Sequence, residues 1–479
     1  MRRLLLLISL LAGCHSISSW KGDITVKSLA RESVKKCGTG ALTEQGKSKI
    51  TRAPFLQSTT TRSAIVAWGA RDEKAEVLLR EPNGDVVAQV PAQYAGDLTR
   101  QKKRLKAQKS NQPIRPDDVY LLRADLTALE PTHLYCYQVL ADGVPMTEPA
   151  PLVTAAAANL DKPTKFVAIG DTGTGGAAQK AMAQRMSEVE FDFMLFLGDI
   201  AYTSGTASEI EHKFFDIYRD VLRYVPAYTA IGNHERRTRQ GAPYFEAFVL
   251  PGAERYYSFD WGDVHFVAID TTQYEADQLR WLDDDLRRNK LPWVIVFGHH
   301  PPYSSSFRGP QRPVRRAFAK ILTNHRVDVV LTGHEHQYER FRVADVNYIV
   351  SGGGGGQLTK FWGKLQALKQ ATVHHFLAFE ATAKVLTMKV IDIDGKEIET
   401  LKLDKKPGVL EQTPIEPEKT IESDPTIHDG PDDDVRKPKL PEQVPETNPE
   451  TKPEAKSETK PETKSETKPA QTAPPLTGR

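Results

Sequence analysis

Five times between residues 166 and 336 a short apolar run ends at a glycine, and a side chain able to bind a metal follows at once. Residues 166–169 lead into Gly170-Asp171-Thr172-Gly173, and residues 193–197 into Gly198-Asp199-Ile200-Ala201-Tyr202. Residues 228–231 lead into Gly232-Asn233-His234-Glu235, 294–297 into Gly298-His299-His300, and 329–332 into Gly333-His334-Glu335-His336. An apolar run of that length, bounded by glycine, reads as a strand buried on both faces. The glycine lets the backbone turn sharply, and in open α/β sheets chemistry gathers just past the carboxyl ends of strands. One carboxylate after one strand means little, because buried strands often end in Asp for turn reasons. Five endings of one kind point to a layered α/β region whose strand ends converge.

Helical patterns fit residues 176–189, 208–218, 275–286 and 314–324, with further strands at 264–269 and 346–350. This alternation is that of an α/β layered domain. After the glycine run 352–356 come strands at 373–380, 385–393 and 398–403. Asp394-Gly395 between the last two is a hairpin signal, and these strands are expected to close the sheet. Before residue 160 the texture is β. Strands at 75–79 and 85–90 flank Pro82-Asn83-Gly84, and others fit 64–68, 120–126 and 133–140. Short strands at such spacing suggest a small β-sandwich. Residues 100–109 carry six basic side chains in ten positions, either a solvated loop or a patch for a polyanion. From about Lys406 the chain is Pro, Glu, Lys, Thr and Ser, repeating in fours over 449–469. Such a tail cannot bury a core and is expected to be disordered, either a spacer or a segment that binds a partner.

The net charge of +2 carries no global bias toward nucleic acid, and none is expected as a partner. The N-terminus reads as a signal peptide: Arg2 and Arg3, an apolar run at 4–11, then Leu11-Ala12-Gly13-Cys14. That ending resembles the bacterial lipoprotein signal, which implies lipidation of Cys14 as the first mature residue and a membrane anchor. Residue 15 is His and not Asp, so the known inner-membrane retention signal is absent. A bacterial cell envelope location is expected, outer membrane ahead of inner. Export makes a Cys37–Cys136 disulfide possible, with two unpaired buried thiols as the alternative. The expected organisation is a leader at 1–13, a tether at 14–50, a β-sandwich at 51–160, a catalytic domain at 161–405 and the tail at 406–479.

Asp171, Asp199, Tyr202, Asn233, His299, His334 and His336 are the candidate ligands. Carboxylate, amide, imidazole and phenolate donors suit Fe, Mn and Zn. His334 and His336 alternate in a turn, which fits two adjacent metals better than one. One carboxylate can bridge such a pair, an arrangement suited to in-line phosphoryl hydrolysis. The five blocks, in this order, resemble the motif blocks of the purple acid phosphatases, within the calcineurin-like metallophosphoesterase superfamily; Tyr202 marks the purple branch. The resemblance implies a four-layer β-sandwich flanked by helices as the catalytic fold. More loosely, residues 52–157 resemble the fibronectin type III-like domain of its larger members.

It further implies that Asp171, Tyr202 and His336 hold Fe(III), that Asp199 bridges, and that Asn233, His299 and His334 complete a site for Zn, Mn or Fe(II). His234 would contact the phosphoryl oxygens of a phosphorylated small-molecule substrate, a phosphate monoester attacked in line by hydroxide. The enzyme alternative is a nucleotidase or phosphodiesterase with the same metals, and the non-enzyme alternative is a binding lipoprotein. One departure stands out. Many relatives place a histidine in the loop after the fourth block, and here Arg308 stands about there. Arginine clamps phosphate but cannot serve as a general acid. His300 is either that acid or a support of His299. His212, His265, His325, His374 and His375 fall outside the blocks and read as structural.

Overall fold

The computed structural model describes residues 31–70, 74–95, 120–160, 162–363 and 365–405. The leader with Cys14, part of the tether, the basic run at 100–109 and the tail lie outside the described residues. Among the described residues no helix is long and apolar enough to cross a membrane.

The described residues between 50 and 153 form two antiparallel sheets. One orders Ile50–Gln57, Ala64–Ala70, Tyr120–Leu126 and Gln93–Tyr94, and the other is built on Ala75–Arg80 between Val86–Pro91 and Leu134–Ala141. Leu56, Val66, Trp68 and Leu122 of the first meet Val77, Leu79, Tyr137 and Val139 of the second in one apolar core. That is the expected sandwich. The Asn83-Gly84 turn joins paired strands as anticipated.

The first of these sheets is buried on both faces. Alternate residues Phe55, Ala67 and Leu121 point out of the sandwich into the larger core that follows, because successive side chains of a strand face opposite ways. Arg52 fixes this contact, donating from Nε and Nη2 to Glu211 Oε2 at 2.8 and 2.7 Å, with its guanidinium 3.8 Å from the Phe215 ring centre. Cys37 and Cys136 are disulfide-bonded, their Cα atoms 5.2 Å apart. The bond ties the helix Arg31–Cys37 to the strand Leu134–Ala141 and resolves the choice that spacing left open.

The remaining chain stacks two sheets. The six-stranded one orders Ala227–Thr229, Phe193–Phe196, Thr164–Ile169, His375–Ala381, Val385–Asp392 and Glu397–Asp404. Its first three strands are parallel and the late ones antiparallel, joined by the Asp394-Gly395 hairpin. The seven-stranded sheet has a parallel centre of Val264–Ala268, Trp293–Phe297, Val329–Thr332 and Val346–Ser351. Aromatic rings seal the sheets together: Phe166 and Phe193 lie edge-on to Phe266 at 5.0 and 5.1 Å. Three residues after Phe193, Phe196 faces the other way, against Phe214 and Tyr218 of the helical layer. The helices Ala276–Arg288 and Arg312–Asn324 each bury one stripe, Leu282 and Leu286 in the first and Val314, Phe318 and Leu322 in the second. Sequence periodicity places a single helix at 208–218. The structure has a helical stretch over 207–222, interrupted by a π-turn at Glu211–Phe215.

Candidate metal centre

Five parallel strands deliver the candidate ligands. Thr164–Ile169, Phe193–Phe196 and Ala227–Thr229 are neighbours in one sheet, so Asp171, Asp199 and Asn233 leave the same edge. Trp293–Phe297 and Val329–Thr332 are neighbours in the other, and release His299 and His334. The loops are then stitched together. His334 N donates to Asp171 Oδ2 at 2.7 Å, Asp171 N to Gly198 O at 3.1 Å, and Gly333 N to His299 O at 2.9 Å.

Close approach explains two of the glycines. A Cβ on Gly198 would lie 2.5 Å from the His299 ring, and one on Gly232 would lie 2.2 Å from Asp199 Oδ1. Asp171, Asp199 and His334 have φ of 60°, 52° and 69°, the left-handed region. Each such conformation costs on the order of 1–3 kcal/mol, and strain of this kind gathers at functional sites. Glu235, fully buried, offsets part of that cost. Its carboxylate accepts from the N–H groups of Asp199, Ala201 and Gly232 at 2.9, 3.1 and 2.9 Å. The sequence places Glu235 in the third block but gives it no role; here it holds two ligand loops together.

Second partners fix which imidazole nitrogen faces inward. His299 Nδ1 donates to Leu197 O at 2.8 Å, and His336 Nδ1 to Gln357 O at 2.7 Å. Both therefore present Nε2, the usual way a backbone carbonyl orients a ligating histidine. His334 instead presents Nδ1. The inward atoms fall into two groups. Tyr202 Oη is 2.9 Å from Asp171 Oδ1 and 3.0 Å from His336 Nε2, and His336 Nε2 is 3.3 Å from Asp171 Oδ1. Asn233 Oδ1 is 3.0 Å from both His299 Nε2 and His334 Nδ1. Asp199 Oδ2 lies 3.2 Å from His299 Nε2, and Asp171, Asp199 and His299 together meet the spacing of a metal triad. Edges near 3 Å are those of an octahedron with bonds of about 2.0–2.1 Å. The residues fit a pair of cations, with His334 in one group of donors and His336 in the other.

Charge balance agrees. Burial and the Asp171 and Asp199 carboxylates push the Tyr202 phenol well above its ordinary pKa, so only a strong cation could make it a phenolate. Burial disfavours a charged His299, but Asp199 outweighs it and holds the imidazolium up to about 10. Burial, then the neighbouring His300 and His299, drive His334 well below its usual value. A bound cation would take the place of the protons held on Tyr202 and His299, and His334 is already free to ligate.

The other candidates sit around this cluster. His234 Nδ1 is 2.6 Å from Thr203 O, and its Nε2 is 3.8 Å from Asp199 Oδ2, on the metal side. His300 packs on the cluster: its ring centre is 4.6 Å from that of His334, and it joins His299 and His334 in a second metal-competent triad. Its Nδ1 is 3.1 Å from Thr271 O, and burial with the adjacent His299 cation pushes it down to about 3. Arg308 Nη1 donates to His334 O at 3.1 Å and lies 3.6 Å from Glu335 Oε2. Burial raises the Glu335 carboxyl to about 7, with Arg308 opposing. The histidines outside the blocks do serve local structure: His212, His265 and His325 pair with Asp216, Asp260 with Asp285, and Asp283, while His374 bonds Gly353 O and His375 bonds Ser351.

Residues 164–338 match the family model described as calcineurin-like phosphoesterase. Purple acid phosphatase 21 of Arabidopsis thaliana is 32% identical over 200 residues, 38% of this chain and 45% of that protein. Purple acid phosphatase 22 of the same plant is 31% identical over 202 residues, 38% of this chain and 46% of its own length. The chain thus spans less than half the length of these curated relatives. A purple acid phosphatase from yellow lupin (Lupinus luteus) seeds superposes with a TM-score of 0.65 at 18% identity, over 74% of this chain and 75% of that one, and so shares the fold. The strand-end cluster thus belongs to a calcineurin-like metallophosphoesterase domain, in a chain whose relatives include purple acid phosphatases.

Proposed function

We propose that the protein is a binuclear-metal phosphatase that hydrolyses phosphate monoesters. The observation that carries this reading is the division of the donors into two groups, with Asp199 beside both. Asp171, Tyr202 and His336 would hold Fe(III), Asn233, His299 and His334 a divalent Zn, Mn or Fe(II), and Asp199 would bridge them. Two cations so held supply charge against the phosphoryl oxygens and acidify a water to a nucleophile. Protein groups do the rest. His234, tethered through Nδ1 to Thr203 O, turns Nε2 toward the phosphoryl group and stabilises its developing charge. His300, neutral and oriented by Thr271, supports the neighbouring imidazoles and holds no proton to give near neutral pH. Arg308 sits beside His334 and presents its remaining N–H groups to the anion.

The test is metal analysis with a visible spectrum of the purified protein. Two ions per chain, one of them iron, with an absorption band lost in Tyr202→Phe, is the expected result. Two zinc ions and no band in the presence of iron would leave the wider superfamily and remove the iron–tyrosinate assignment.

We also propose that Cys14 carries lipid and anchors the protein to a bacterial membrane, the outer one ahead of the inner. The support is the sequence Leu11-Ala12-Gly13-Cys14 after a basic and apolar leader. Labelling with a palmitate analogue checks it, and equal labelling of Cys14→Ser and wild type would refute it.

A further inference from the structure

We propose that the paired loops around 303–309 and at 357–363 and 365–368 form a leaving-group subsite for phosphate esters of planar aromatic alcohols, with the Trp362 indole as its platform. The proposal rests on the phosphatase reading and narrows its substrate class.

Exposure gives the first reason. Phe307, at 52%, and Trp362, at 82%, are the exposed Phe and Trp side chains among the described residues. Leu368, at 61%, stands near Trp362 in sequence. The other large exposed apolar side chains among the described residues are in the β-sandwich region or the connection after it, at Val86, Val87, Val144 and Leu160. Single exposed apolar residues need no explanation, but a cluster on two joined loops beside a polar site does.

Those loops are held rigidly. Ser306 and Phe361 form an antiparallel bridge, and Ser305 O accepts from Trp362 N at 3.0 Å and from Gly363 N at 2.8 Å. Gly363 packs so tightly that a Cβ would sit 2.9 Å from the Ser305 backbone. Beneath them the buried Glu339 carboxylate accepts from Ser304 Oγ and Ser305 N, both at 2.6 Å. The exposed rings therefore stand on fixed backbone, and a groove of about 600 Å³ runs between Ser305 and Phe361, Trp362, Leu365 and Leu368.

Both loops are also tied to candidate metal ligands. The first leaves His299 and returns through Arg308, whose guanidinium lies 5.3 Å from the Phe307 ring centre and whose Nη1 holds His334 O. The second passes Gln357, whose carbonyl orients His336, and Thr359, whose N–H donates to His336 O at 3.1 Å. Arg308 thus ties the first loop to His334, and Gln357 and Thr359 tie the second to His336, and under this proposal the leaving group of a bound ester lies toward the rim. Indole and phenyl faces stack on flat rings and offer little to a hydrated polyol. A leaving group with a flat aromatic ring is the ligand this rim would recognise.

The experiment uses the full, metal-loaded chain and compares kcat/KM for 1-naphthyl phosphate and glycerol 2-phosphate. Taking mutant over wild type for each ester removes their different intrinsic reactivity. Trp362→Ala should lower the aryl-to-alkyl ratio roughly tenfold, the scale of one lost stacking partner. Trp362→Phe should restore most of it and Trp362→Leu should not. An aryl-to-alkyl ratio within about twofold of wild type in Trp362→Ala overturns the subsite. Should wild type turn over neither ester, the phosphatase reading fails separately. Calorimetry with naphthylphosphonate and methylphosphonate then decides: tighter naphthylphosphonate binding that Trp362→Ala abolishes upholds the subsite, and equal affinity in both proteins overturns it.

Discussion

Among the described residues of 51–160 the buried polar side chains are Gln57, Thr59, Thr147 and Thr154, all uncharged. Residues 161–405 bury Asp171, Asp199, Glu235, Asp270, Glu335 and Glu339, among others. Both regions have dense apolar cores, so the contrast is not one of packing quality. Removing a carboxylate from water costs several kcal/mol unless partners compensate. The sandwich avoids that cost and can serve as a support. The double-sheet region accepts it at its strand ends, where Asp171 and Asp199 also hold left-handed backbone. A region that buries charge against its own stability does so for what the charge can hold.

The largest expected effect tests that statement directly. Asp199→Asn should abolish nearly all phosphatase turnover and cost the protein at least one ion, since Asp199 lies between both donor groups. Cations that bind only the folded state stabilise it by mass action. A chelator should therefore lower the melting temperature of wild type and leave that of Asp199→Asn almost unmoved. Unchanged metal content and turnover in Asp199→Asn would break the binuclear reading.

Trp68→Ala sharpens the other side. The indole is 1% exposed in the sandwich core, and truncating a buried aromatic costs about 3–5 kcal/mol. Denaturant unfolding should show that loss, while kcat/KM of the protein still folded stays near wild type. A matching fall in kcat/KM would mean that the sandwich shapes the site through the Phe55–Phe215 contact and is no mere support.

Much of this division could be read from residues in order. Each ligand follows an apolar run and a glycine, so the strand ends and their donors were legible one by one. The sandwich was legible from turns such as Asn83-Gly84. Pairing between distant strands was not, because nothing local to His375–Ala381 says that it lies beside Thr164–Ile169. The same limit left the Cys37–Cys136 bond undecided and hid the bracing role of Glu235 and the inward position of His300, each of which depends on where another loop lands. Arg52 likewise looks like an ordinary strand residue until Glu211 and Phe215 meet it.

His265 tests whether buried charge in the second region always means chemistry. It lies away from the metal cluster, with Nδ1 2.6 Å from Asp260 Oδ1 and Nε2 2.9 Å from Asp285 Oδ2. Burial alone would lower its pKa, but the two carboxylates outweigh this and hold it up to about 9. An unfolded histidine titrates near 6.5. The folded value is the higher one, so the stabilisation is complete below about pH 6.5 and is lost as pH rises through about 9. It amounts to no more than about 3 kcal/mol, less whatever solvent screens at the exposed Asp260. Wild-type stability should fall across that window and the fall should shrink in His265→Gln, with turnover at pH 6 unaffected. An identical pH profile in both proteins would show that the imidazolium contributes nothing.

The smallest effect falls on Arg308, which is neither buried nor free, its side chain 39% exposed between the two regimes. Its Nη1 is committed to His334 O and its charge to Glu335, leaving the other N–H groups for a phosphate oxygen. One hydrogen bond between charged groups contributes about 1.5 kcal/mol at the lower end of its range. Arg308→Ala should therefore lower kcat/KM for a good monoester roughly tenfold at full metal occupancy. A guanidinium cannot serve as a general acid, so residue 308 gives no proton to the leaving group in the wild type. Arg308→His should recover part of the loss and move the acidic limb of the pH profile, because an imidazole can both bind the anion and donate a proton. If Arg308→Ala instead keeps kcat/KM within about twofold of wild type, the arginine only braces the His334 carbonyl. The contrast between the two regions would then sharpen to one in which the buried ligands, and not the half-exposed loop, carry the phosphoryl group.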